Sequence, residues 1–117
     1  MRSALTALTV SVFLLFAGSS VANAAQPEDL WQEVDRLQAE VETNEQIAKS
    51  QVGKHQNKSA AARYARVIAD STAQLTLLDR LFIEDTSLDT QLEVMTRIGL
   101  VKQRMQRVSE VLEILRG

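Results

Sequence analysis

Residues 94–115 read VMTRIGLVKQRMQRVSEVLEIL, and their spacing decides the fold. Val94, Ile98, Val101, Met105, Val108, Leu112 and Leu115 recur at alternating steps of four and three, and every one is apolar. An α-helix turns once in about 3.6 residues, so this spacing lines one face of a helix with a continuous seam. A half-buried strand would need apolar residues at every second position, which the segment lacks. Leu88, Leu92 and Met95 precede the seam in a shifted frame, and the slip falls close to Gly99.

Two more seams lie upstream. Leu30, Val34, Leu37, Val41, Asn44 and Ala48 repeat the four–three pattern after Pro27. Proline suits a first helical turn, where its missing N–H has no partner to lose. Glu28 and Asp29 beside it complement the helix dipole, and Gly53 reads as the C-terminal stop. A polar connector follows, with Asn57 or Ser59 as the next N-cap. The middle seam is Ala61, Tyr64, Ile68, Ser71, Leu75, Leu78 and Phe82. A stripe of Ala62, Ala65, Ala69 and Ala73 runs beside it, so this helix is expected to touch two neighbours. The last break, at 84–87, contains neither Gly nor Pro, and Thr86 with Asp89 reads as a variant capping box.

These signals predict helices at about 27–52, 58–84 and 87–116. Similar lengths and short connectors favour antiparallel neighbours. The expected fold is all-α: an up-down-up three-helix bundle about 40 Å long at roughly 1.5 Å per residue. The same heptads also allow an extended coiled coil that finds its partners in other copies. In the bundle register, Ala39, Gly99 and residues 71–73 share one level. That reads as a waist of small residues in which Gly99→Leu would overpack. Asn44 and Ser71 interrupt their seams, either to fix register or to face water at the seam's edge.

The N-terminus reads as a leader. Arg2 precedes an apolar run from Ala4 to Ala17, Gly18 to Ser20 break it, and Ala22-Asn23-Ala24 supplies small residues for cleavage before Ala25. That is the form of a secretory signal peptide, residues 1–24, leaving a helical domain at 25–117. The run is short for a bilayer span of roughly 20 residues, so a retained anchor is the weaker alternative. No cysteine follows it, which excludes a lipid-anchored lipoprotein. The chain has no cysteine at all, whereas small secreted domains commonly rely on disulfides. A periplasmic or secreted location, with a bacterial envelope favoured, is the expected address.

Chemistry is sparse. The single histidine, His55, sits between Lys54 and Lys58 with no carboxylate in the connector to orient it, as a catalytic base would require. Gly53-Lys54 lacks the upstream glycine and the following Ser or Thr of a phosphate loop. Met95 and Met105 read as core filler, and Asn57-Lys58-Ser59 is an isolated glycosylation triplet. No catalytic residue, metal ligand or cofactor is expected, and the chain is not read as an enzyme. Removing Arg2 with the leader takes the net charge from −2 to −3, which argues against nucleic acid as a partner.

The charges are segregated. In the up-down-up register, Glu28, Asp29, Glu33, Asp35, Asp79, Glu84, Asp85, Asp89 and Glu93 gather at one end. Lys49, Lys54, Lys58, Arg63, Arg66, Arg104 and Arg107 gather at the other, with Arg116. These seven are the candidate anion- or partner-binding residues. The plainer reading is solvated helix faces that match the helix dipoles. Trp31, one position off the first seam, either caps the core or anchors a partner. The expectation is an exported, non-enzymatic helical interaction protein of the cell envelope. Its partner would be another protein, a second copy, or an anionic lipid or polymer. The alternative is a periplasmic chaperone or adaptor that presents apolar seams.

Overall fold

A computed structural model describes residues 26–117; the leader expected at 1–24 and its cleavage point lie outside them. Among the described residues there are three helices: α1 (Pro27–Gly53), α2 (Asn57–Glu84) and α3 (Leu88–Arg116). Long-range contacts fix their order in space. Arg66 on α2 reaches Glu40 on α1, and Gln74 reaches the Val34 carbonyl, so α2 runs back along α1. Arg97 meets Asp35 and Arg107 meets Glu45, so α3 runs parallel to α1. The topology is up-down-up, in a body 46 × 30 × 19 Å. Both outer helices pack on α2, and no Cα of α1 comes within 8 Å of a Cα of α3. The bundle is therefore open along one side, where only long side chains bridge.

The buried residues of α1 are Leu30, Val34, Leu37, Val41, Asn44 and Ala48, the seam read from sequence with its polar member included. On α2 the buried set is wider: Ala60, Ala61, Tyr64, Val67, Asp70, Ser71, Gln74, Leu78 and Leu81. Ala61, Tyr64, Ser71 and Leu78 belong to the expected seam, Ile68 and Leu75 are half-buried, and Phe82 is exposed. The second stripe is not the alanines. Ala62, Ala69 and Ala73 face solvent and Ala65 is half-buried. Their place is taken by Ala60, Val67, Gln74 and Leu81, one heptad apart, on the opposite flank of the seam. The physical reason is volume: Val67 and Leu81 remove far more apolar area from water than any alanine.

The core falls into two apolar compartments. One joins Val41, Ala48, Ala60, Tyr64, Val67 and Leu112 near the α1–α2 turn. The other joins Leu30, Val34, Leu78, Leu81, Val94 and Val101 near the α2–α3 turn. Polar side chains lie between them. The expected waist of small residues is absent: Ala39, Ala73 and Gly99 are all exposed. A Cβ on Gly99 would meet nothing within 4 Å, so overpacking by Gly99→Leu is ruled out.

The helix ends also differ from the reading. α1 continues through Gly53, and Lys54 is its cap. His55 takes the left-handed conformation at φ 60°. Its N–H bonds the Val52 carbonyl at 3.0 Å, and the Gln56 N–H bonds Gln51 at 2.8 Å. That is a Schellman closure with histidine where glycine is usual. α2 begins after Gln56 without a side-chain cap. At α3 the cap is Ser87, one position after Thr86, and its hydroxyl accepts from the Thr90 N–H. Asp85 accepts from the Ser87 N–H at 3.1 Å and the Thr90 hydroxyl at 3.0 Å. These bonds hold its carboxyl below the usual carboxylate range.

Candidate functional site

Three features carry chemistry: a polar layer across the core, the basic residues near the α1–α2 turn, and an uncovered apolar face on α3.

The polar layer is centred on Arg104, which is only 8% exposed. Its Nε donates to Ser71 Oγ at 3.1 Å and its Nη2 to the same oxygen at 3.0 Å. Nη2 also donates to Gln74 Oε1, and Nη1 to Gln38 Oε1 at 3.0 Å. Gln74 Nε2 donates in turn to Gln38 Oε1 and to the Val34 carbonyl, both at 3.1 Å. All three helices contribute. A side chain from α3 thus ties α1 to α2 across the open side, at the level where the apolar compartments part. Burial lowers the Arg104 pKa from its ordinary value, while Glu45, Glu42 and Asp70 oppose that effect from a distance.

Asp70 lies one residue from this layer and is 8% exposed. Its Oδ2 is enclosed and accepts no hydrogen bond. Burial and the nearby Glu40 push its carboxyl up to about 6, against the pull of Arg66, Arg36 and Arg104. Sequence reasoning placed neither Asp70 nor Gln74 in the core, because both lie off the seam from Ala61 to Phe82 and read as polar surface. The signal available was the heptad itself, Ala60–Val67–Gln74–Leu81.

The seven candidate basic residues divide. Arg104 is in the core. Arg66 pairs with Glu40 at 3.0 Å and Arg107 with Glu45 at 2.8 Å. Arg63 donates to Asn44 Oδ1 at 2.9 Å, so this buried seam residue has a partner on α2 and does not face water at the seam's edge. Three α1 acids, Asp35, Glu40 and Glu45, thus pair laterally with arginines of α2 and α3. Lys49, Lys54 and Lys58 are brought together around the α1–α2 turn, all exposed and with no ion pair among the described residues. His55 is exposed among them, and among the described residues no group of His, Cys, Asp and Glu could hold a metal.

Trp31 is half-buried against the second compartment. The Arg97 guanidinium lies 5.2 Å from its ring centroid, a cation–π contact that links α1 to α3.

The feature sequence reasoning left unassigned is the outer face of α3. Leu88, Leu92 and Met95 are 69%, 53% and 58% exposed. They repeat at steps of four and three, and Gly99 continues the stripe. At a rotation of about 100° per residue this line points away from the buried Val94–Val101–Val108 seam. Ile83, at the end of α2, is also exposed. The shifted frame before Gly99 is therefore a second apolar stripe on the same helix.

Among the described residues no helix is long and apolar enough to cross a membrane. Comparison of the chain with protein-family models, with curated proteins and with solved structures gave no match.

Proposed function

We propose that this chain is an exported, non-enzymatic interaction protein of the cell envelope, which binds by helix packing through the outer face of α3. The observation that carries the reading is the exposed Leu88–Leu92–Met95 stripe, ending at Gly99, where a Cβ would meet open space. Apolar residues at heptad spacing on a solvent face match the ridges of another helix, and grouped apolar surface on a small soluble domain marks an interaction site. Asp89, next to Leu88 and three residues before Leu92 on α3, is exposed and without an ion pair among the described residues. The occupant is therefore an amphipathic partner helix whose apolar stripe packs along this face of α3 and sets a basic residue toward Asp89.

The test uses a synthetic leucine–lysine amphipathic helix, labelled for fluorescence anisotropy. The processed protein binds it. Leu92→Glu with Met95→Glu abolishes binding, while Ile114→Glu, at another exposed apolar position, leaves it intact. Equal binding by both variants would remove the reading. A dimer in light scattering that the same double variant dissolves would put a second copy on the face instead.

A second reading is supported by Lys49, Lys54 and Lys58, whose charges lack acidic partners at one turn. They suit an anionic surface, with binding that falls steeply with salt. Reversing Lys54 and Lys58 to Glu removes adsorption to vesicles containing phosphatidylglycerol if that reading holds. Adsorption unchanged by the reversal would dismiss it.

A further inference from the structure

Arg104 carries a charge that nothing in its contact shell balances. Each acceptor it meets, Ser71 Oγ, Gln38 Oε1 and Gln74 Oε1, is neutral. A buried cation is costly to desolvate, and neutral hydrogen bonds recover only part of that cost. A guanidinium has five N–H groups. Here Nε and both sites of Nη2 are used, while Nη1 makes one bond, to Gln38. One Nη1 N–H is left over.

Arg104 and Gln38, the acceptor of its Nη1, both line a cleft. Because α1 and α3 stand apart, a cavity of about 250 Å³ opens between them over α2, and Arg104 and Arg97 both line it. Val34, Leu78, Leu100 and Val101 supply apolar walls. At the mouth, Arg97 is held by Asp35 at 3.5 Å and Glu93 at 3.1 Å. The two acids cancel much of the Arg97 charge and repel any ligand of higher negative charge. The floor stays positive and the walls stay greasy. The volume lies just below the range of roughly 300–1,000 Å³ typical of drug-sized ligands.

We propose that the α1–α3 cleft binds a small monocarboxylate bearing a short branched apolar group. The carboxylate takes the spare Nη1 N–H of Arg104 and supplies its missing counter-charge. The apolar group lies against Leu100 and Val101. Dianions and phosphate are disfavoured by Asp35 and Glu93. This inference is independent of the α3 outer face and of the lysine turn.

The probe is 4-methylpentanoate, titrated into the 15N-labelled processed protein and followed by amide and side-chain NMR shifts. The expected result is saturable change at Gln38, Gln74, Leu100 and the Arg104 guanidinium. The neutral 4-methylpentanamide and inorganic phosphate should produce at least tenfold weaker effects. Arg104 substitutions disturb the core, so the decisive variant is Leu100→Glu. Leu100 is 57% exposed at the rim, and this change places a carboxylate four residues before Arg104, where it competes with a bound carboxylate for the same guanidinium. It should abolish binding while the circular dichroism spectrum stays that of a folded helical protein. Equal shifts from acid and amide would overturn the proposal. So would shifts centred on Lys49, Lys54 and Lys58, unaltered binding by Leu100→Glu, or no saturable response.

Discussion

Replacing Asp70 by asparagine keeps the shape of a buried side chain and removes its charge. In the folded chain the Asp70 carboxyl is pushed up to about 6 from an ordinary 3.8, first by burial and then by Glu40. The folded state therefore holds the proton more tightly than the unfolded state does. The stability gained from the neutral form is complete below about pH 3.8, declines as pH rises, and is lost once pH passes about 6. The gap of roughly two pKa units, at 1.36 kcal/mol each, amounts to about 2–3 kcal/mol. Asparagine does not titrate, so Asp70→Asn escapes that loss. Urea unfolding of both proteins at pH 3.5, 5, 6 and 7.5 isolates the effect, because the other titrating groups cancel in the difference. The stability of the variant relative to the parent should rise by about 2–3 kcal/mol between pH 3.5 and 7.5, with its midpoint between the two pKa values. A difference that stays flat across this range would show that Asp70 titrates as an exposed carboxylate. The packing of α2 on α1 at this level would then be wrong.

Three further substitutions test other parts of the structure. Arg104→Met should destabilise by about 2–4 kcal/mol, because Ser71, Gln74 and Gln38 lose their shared donor in a buried site. Adding Ser71→Ala and Gln74→Leu should recover most of that loss, as apolar replacement of whole buried polar clusters often does; failure to recover would mean the layer contributes more than satisfied polar groups. Gly99→Ala should raise stability by about 1 kcal/mol in thermal melts, from helix propensity at an open position, and a fall would mean Gly99 is enclosed. His55→Gly should stabilise by about 1 kcal/mol, since it relieves a left-handed residue; a loss would mean that the His55 side chain makes a stabilising contact. Intact-mass measurement of the protein from its cell should give Ala25 as the first residue, and retained Met1 would dismiss export with cleavage.

The pattern of apolar residues made α1 legible almost in full, down to Asn44. It did so because that helix buries one narrow seam against one neighbour. α2 was harder, since it packs on both outer helices. Its α1-facing stripe contains Gln74, and Asp70 is buried beside it. The regular run Ala62–Ala65–Ala69–Ala73 imitated a stripe where none is buried. Arg104 was misplaced for a related reason. A charged residue between Lys102 and Arg107 reads as part of a basic surface, and only its contacts with Ser71 and Gln74 reveal it as a core residue. Charge blocks along the chain suggested two opposed ends. Register also sets Glu40 against Arg66 and Glu45 against Arg107, which pairs two of the seven candidate bases within the bundle. The apolar face of α3 was visible as a shifted frame at Gly99. Its exposure could not be read, because a helix with two apolar stripes does not declare which one is covered.

A partner helix seated on the outer face of α3, as proposed, would be captured in intact cells. The most direct measurement is photo-crosslinking in intact cells, with a benzophenone side chain placed at Leu92 and, as a control, at Ala73 on the exposed side of α2. One discrete adduct from Leu92 that disappears when Met95→Glu is added, and none from Ala73, is the expected result. Adducts from both positions alike, or none from Leu92, would contradict it.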